Sequence, residues 1–308
     1  MSQRIFSASD FQEPSVRGSR SGGGSVVARV VSSLIGLILT VPALLMVIAG
    51  GGRAYQQILQ EARTDADIGA ILLAVAGLVL LIVVVLSGLL SAAGPLVGGV
   101  IVTAAGLAFL LDPSLVEQAS RALPGFGRTG VITLSLWCQS GLLLAVGVTL
   151  LASALARVIA SRSGAARSRG VRAVVSIIVA VVTTTGGLAL LVVGSTALLR
   201  SAGSYGARSL DTPSLLILLG GCLVLGGVAL TAAWSSVGTA IIGTIVLLAG
   251  LAGFLPAVST AAFRAVAPLS SDAAGGASSV LTIGFVAAMG VTLIGVAASC
   301  ARARRAVR

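Results

Sequence analysis

The sequence predicts an all-α membrane protein with eight transmembrane helices, arranged as two tandem parallel four-helix repeats. Composition gives the class. Of the 308 residues, 56% are hydrophobic and only 9% charged, and mean hydropathy is +1.10. Soluble domains carry about 25% charged residues, and a run of about 20 apolar residues crosses a bilayer. An internal match gives the arrangement. Residues 94–111 align without gaps on 238–255, and nine of the 18 positions are identical, among them Gly94/Gly238, Gly99/Gly243 and Gly106/Gly250. Chance in so narrow an alphabet gives roughly two. At an offset of 143, the run Gly147-Val-Thr-Leu150 recurs as Gly290-Val-Thr-Leu293, and Arg29, Ser33 and Thr40 recur as Arg172, Ser176 and Thr183.

In chain order, residues 1–29 read as a disordered cytoplasmic tail with a Ser21-Gly-Gly-Gly-Ser25 run, too long for a usual signal-peptide leader. Residues 30–156 form the first repeat, with spans at 30–52, 69–90, 95–111 and 130–156. A basic linker, 157–172, joins it to the second repeat, 173–300, with spans at 173–199, 214–233, 238–255 and 279–298. Residues 301–308 are a basic tail. Spans two and three, and six and seven, are joined by short uncharged Gly-, Pro- or Ser-bearing hairpins at matching places.

The loops after spans three and seven each hold a short amphipathic piece. Residues 113–124 put Leu115, Val116, Ala119 and Leu123 on one helical face, and 256–268 do the same with Val258, Ala262, Phe263 and Val266. Residues 53–68 extend span one, with Tyr55, Ile58, Leu59 and Ala62 at helical spacing.

Charge sets the orientation. With the amino terminus inside, the tail, linker and C-terminal segment hold 13 Arg against Asp10 and Glu13, whereas the outer loops hold seven Arg and seven acids. Positive charge accumulates on the cytoplasmic side, so both termini are expected inside. Four spans per repeat bring the second in with the same orientation as the first, related by a two-fold axis along the membrane normal. All 20 basic residues are Arg, and Lys, His and Asn are absent, a usage that points to a GC-rich bacterial genome and the inner membrane. The net charge of +11 is read as topology, with anionic lipid headgroups as its partners and no nucleic acid.

No charged residue sits inside a span. A charge at mid-bilayer costs about 3 kcal/mol on insertion scales and persists where function needs it, so proton-coupled carriers, pumps and voltage sensors are disfavoured. Without His there is no haem ligand of that type and no Ser–His catalysis. No catalytic, cofactor or metal residue is assigned, and the chain is read as non-enzymatic. Cys138, Cys222 and Cys300 read as small buried residues rather than a disulfide framework.

The candidate path or binding residues are Thr40 and Pro42 in span one, Thr183, Thr184, Thr185, Gly186 and Gly187 in span five, and Gln139 in span four. Pro42 and the Thr-Thr-Thr-Gly-Gly run weaken helix near mid-span at corresponding positions, and paired interruptions mark binding sites in transporters. Structural kinks satisfied by Thr hydroxyls give the same pattern. Gln139 is the one amide within a span and either bonds across helices or lines a polar path. The functional expectation is a membrane subunit or structural factor that partners another membrane protein or itself. The alternative is a permease or channel-like protein for a neutral or lipidic solute.

Overall fold

The structure, a computed structural model, describes residues 26–61, 65–122, 127–162, 169–203, 211–268 and 270–306; among these there is helix and no strand. The expected tail up to residue 25, the middle of the linker at 163–168 and residues 307–308 lie outside the described residues. Residues 26–29 already belong to α1, and helix runs into the linker from both sides.

The helices are α1 (Val26–Tyr55), α2 (Ile68–Ser87), α3 (Ala93–Leu111), α4 (Ser114–Arg121), α5 (Gly127–Gln139), α6 (Leu142–Arg162), α7 (Arg169–Gly203), α8 (Thr212–Thr231), α9 (Ser236–Ala252), α10 (Pro256–Val266), α11 (Ser271–Thr282) and α12 (Phe285–Ala306). A π-helical turn, Gln56–Gln60, prolongs α1 as the sequence extension of span one anticipates. Among the described residues seven helices are long and apolar enough to cross a membrane: α1, α2, α3, α6, α7, α8 and α12. An eighth span arises if α9 and α10, bent by 110° at their joint, are taken together. The amphipathic pieces of the sequence appear as α4 and α10.

Spans four and eight differ from expectation. Each is two helices, α5 then α6 and α11 then α12, parted at Gly141 (φ 71°) and Gly284 (φ 84°). Only glycine adopts that left-handed conformation without steric cost, so both helices stop there and restart at a new angle. The two glycines are 143 residues apart. With 21 and 22 residues, α6 and α12 are each about 31–33 Å long, enough to cross hydrocarbon without α5 and α11.

Spans one and five, whose mid-span residues read as either kinks or interruptions, are continuous helices. Proline removes one bond from the α1 ladder and the helix runs on through it. In α7 the Thr183 hydroxyl bonds back to Val179 O, and the face with Gly187 packs on Leu225 of α8. The weak run is held helical by that packing.

Between apolar helices in lipid there is little hydrophobic drive, so close packing of small residues holds them together. A Cβ on Gly106 of α3 would lie 2.6 Å from Leu144 N of α6, and one on Gly147 of α6 would lie 2.5 Å from Thr103 N. The same contacts occur 143–144 residues on. A Cβ on Gly250 would meet Ala287 N at 2.2 Å, and one on Gly290 would meet Leu247 N at 2.3 Å. The two most deeply buried helices, α6 and α12, pack on each other; α8 lies against α6, and α2 against α12.

One end of the bundle carries the α2–α3 and α8–α9 turns. There the buried Ser32 hydroxyl reaches the carbonyls of Ser87 and Ser91, both at 3.1 Å, and accepts from Gly94 N–H at 2.9 Å. Ser176 donates to Ser235 O at 3.1 Å. Arginines from the ends of α6 and α12 complete the turns. Arg157 Nη2 donates to Leu89 O and Leu90 O at 3.2 Å, and Arg304 Nη1 donates to Ala232 O at 2.6 Å and Ala233 O at 2.9 Å. Each places a cation where helix carbonyls lack partners.

Candidate functional site

The opposite end of the bundle holds the two helix breaks, and they meet. Trp137, fully buried on α5, donates its indole N–H to Ile283 O at the α11–α12 break (3.3 Å). Its ring meets Phe285 edge-on, with centroids 5.8 Å apart and planes at 73°. Gly51 of α1 backs against the same carbonyl, which would lie 2.1 Å from a Cβ there. The backbone group freed by the break is thus sealed by protein.

Two cavities flank this junction. One, about 330 Å³, lies among α1, α3, α4, α5 and α6 and presents only apolar atoms, from residues such as Leu44, Ile48, Val102, Phe109 and Leu143. The other, about 280 Å³, lies among Tyr55, the α5–α6 break, α7 and α11. Its wall includes Ser140, Ser195, Thr196 and Ser279, with the ion pair Arg200–Asp272, more than half exposed, beside it.

Four hydroxyl groups of the second cavity share one state, and those of Tyr55 and Ser271 stand beside them. Ser195 donates to Val192 O (3.1 Å), Thr196 to Val192 O (2.9 Å), Ser279 to Gly275 O (2.7 Å) and Ser140 to Leu136 O. Each proton is engaged with its own helix, so the oxygens remain as acceptors. None of these four residues was singled out from sequence. The signal was present 143 residues upstream, where Ile132, Thr133 and Leu136 stand in place of Gly275, Gly276 and Ser279.

The sequence-derived candidates are not brought into one site. Thr40 is fully buried, donates to Gly36 O (2.5 Å) and packs on Gly98. Pro42, Thr185 and Gly186 are exposed on the outer faces of α1 and α7. Thr183 is half-buried; Thr184 is buried with its hydroxyl unpartnered, and Gly187 is buried against α8. Gln139 is half-buried beside the break. Neither cavity is lined by any of them. The three cysteines are free and buried. Among the described residues no three His, Cys, Asp or Glu gather as a metal site.

Fold and site together define a multi-pass helical membrane protein with a polar cavity at one end and an apolar cavity that reaches the middle of α1 and α3. The chain matches no protein-family model, no curated protein and no solved structure.

Proposed function

We propose that this chain is a non-enzymatic subunit of a membrane assembly, built of two parallel four-span repeats related by a two-fold axis along the membrane normal. The observation that carries the subunit reading is the packed middle. Where α6 meets α12, the buried residues are mostly apolar, among them Leu150, Ala154, Met289 and Leu293, and the buried hydroxyls of Thr149, Ser153, Thr292 and Ser299 are bonded to carbonyls of their own helix. A carrier or channel needs a polar route there. The repeat reading is supported by the paired breaks, the glycine contacts and the capped turn carbonyls, which recur at offsets of 143–144, with the capping arginines 147 apart. The bundle end with the capped turns is assigned to the cytoplasm of a bacterial inner membrane, from the Arg distribution, with anionic headgroups around it.

A partner, either another membrane protein or a second copy, is placed on the α7–α8 face. Gly186, Gly220 and Gly227 have no atom within 4 Å of a would-be Cβ, and Leu216 and Leu223 stand exposed around them. Helices dock in lipid by close approach at such notches. The double variant Gly220→Leu/Gly227→Leu fills the notch without touching the fold. In native mass spectrometry from mild detergent, the wild type is expected as a homo- or hetero-complex and the variant as a single chain of unchanged thermal stability. A wild type that is a lone chain, or a variant that stays assembled, overturns the reading.

The alternative of a permease or channel-like protein for a neutral or lipidic solute draws support from the apolar 330 Å³ cavity. Swelling of vesicles carrying the purified protein in glycerol, beyond that of empty vesicles, would put it ahead.

A further inference from the structure

The polar cavity lies between the α5–α6 break of the first half and α7 and α11 of the second. Around the place in the first half that matches α11, Gly52 sits so tightly on Thr133 that a Cβ would lie 2.1 Å from its hydroxyl oxygen, and Thr129 donates to Gln56. In the second half the corresponding stretch of α11 carries Gly275, Gly276 and Ser279 instead of Ile132, Thr133 and Leu136. The space that results is about 280 Å³, at the small end of the roughly 300–1,000 Å³ of ligand pockets.

The chemistry of the wall selects the ligand. Four hydroxyl oxygens have their protons engaged with backbone carbonyls and offer acceptor capacity, and Tyr55 and Ser271 add two hydroxyls that can also donate. Asp272 adds a carboxylate and Arg200 a guanidinium, so the pair is neutral overall. An occupant with several N–H donors at one end and an anionic oxygen group at the other satisfies both. From this geometry we infer that the cavity is a binding site for a small zwitterion that joins a primary ammonium to a carboxylate or phosphate. The ammonium lies among the hydroxyl oxygens and Asp272; the anionic group takes Arg200 in its charge-assisted fork. Free amino acids and the headgroup of phosphatidylethanolamine share this chemistry. The inference is independent of the subunit reading, since it concerns one chain.

Gly275 makes the site testable. It lines the cavity and nothing lies within 4 Å of a Cβ placed on it, so Gly275→Leu fills the space without a clash. Leucine also favours helix over glycine, so the variant chain keeps or gains thermal stability. The experiment is a thermal melt of the full chain. In detergent, glycine at millimolar concentration is compared with trimethylglycine, which has the same charges and no N–H, and with glycerol. In nanodiscs, phosphatidylethanolamine is compared with phosphatidylcholine. A rise in Tm of at least about 2 °C with glycine but neither control, absent in Gly275→Leu, supports a free zwitterion. The same rise in phosphatidylethanolamine only, again absent in the variant, supports the headgroup. Arg200→Gln is then expected to weaken the effective ligand about tenfold. No rise in either arm, an equal rise with trimethylglycine, glycerol or phosphatidylcholine, or a rise that survives Gly275→Leu overturns the inference.

Discussion

Gly141 holds a backbone conformation that costs an L-residue about 1–2 kcal/mol, and Leu218 Cδ2 lies 2.5 Å from where its Cβ would be. Gly141→Ala is therefore expected to lower the Tm of the detergent-purified chain measurably. Adding Leu218→Ala relieves the collision and not the backbone cost, so it should not restore the wild-type Tm. An unchanged Tm for Gly141→Ala would contradict the break. Sequence inspection directed attention to Pro42 and Thr183–Gly187 instead, because proline and a Thr/Gly run lower helix propensity. Propensity is a weak guide where tertiary packing decides: Gly187 is covered by α8, and Pro42 faces outward on an unbroken α1. Gly141 looked ordinary among 40 glycines, and only its recurrence at Gly284 set it apart.

At the scale of the element, the two tight turns depend on arginines far away in the chain. Arg304 supplies both Ala232 O and Ala233 O. Hydrogen bonds to charged groups contribute about 1.5–3 kcal/mol each when buried, and less where water reaches them. Arg304→Leu should lower stability by about 1–3 kcal/mol, and Arg304→Lys should recover only part of it, since an ammonium lacks the planar fork. Equal stability of all three in a denaturant titration would remove the clamp. The turns themselves were legible from their Gly, Pro and Ser residues, and the short amphipathic helices from their periodicity. That an arginine assigned to the C-terminal tail belongs to α12 and closes a turn 71 residues earlier was not, since nothing local records it.

For the whole molecule, the +11 charge and its distribution yield the expectation that the capped turns face the cytoplasm. Reporter fusions at residue 165 and after Arg308 should read cytoplasmic, and fusions at Asp65 and Asp211 external; an external reading at 165 would reverse the assignment and its lipid partners. Membrane class and most span positions could be read from the apolar runs, because bilayer thickness imposes length directly. The way α2 leans on α12 and α8 on α6 could not, because those contacts join residues such as Gly295 with Val85 and Gly226 with Val148, types found on every long apolar helix. The polar cavity escaped notice for a related reason: its serines are scattered over three helices and acquire meaning only where the breaks bring them together.

The tie from Trp137 to Ile283 sets a clock on assembly. The acceptor is made 146 residues after the donor. At about 5–20 residues per second, the first half spends roughly 7–30 s in the membrane before its indole N–H can find that carbonyl. Through that interval the α5–α6 corner has no lid, and a nascent chain that stalls before Ile283 presents an unfinished surface to the cell's insertion and proteolysis machinery. Completion of the second half, rather than insertion of the first, is then the step at which the molecule becomes a protected native structure.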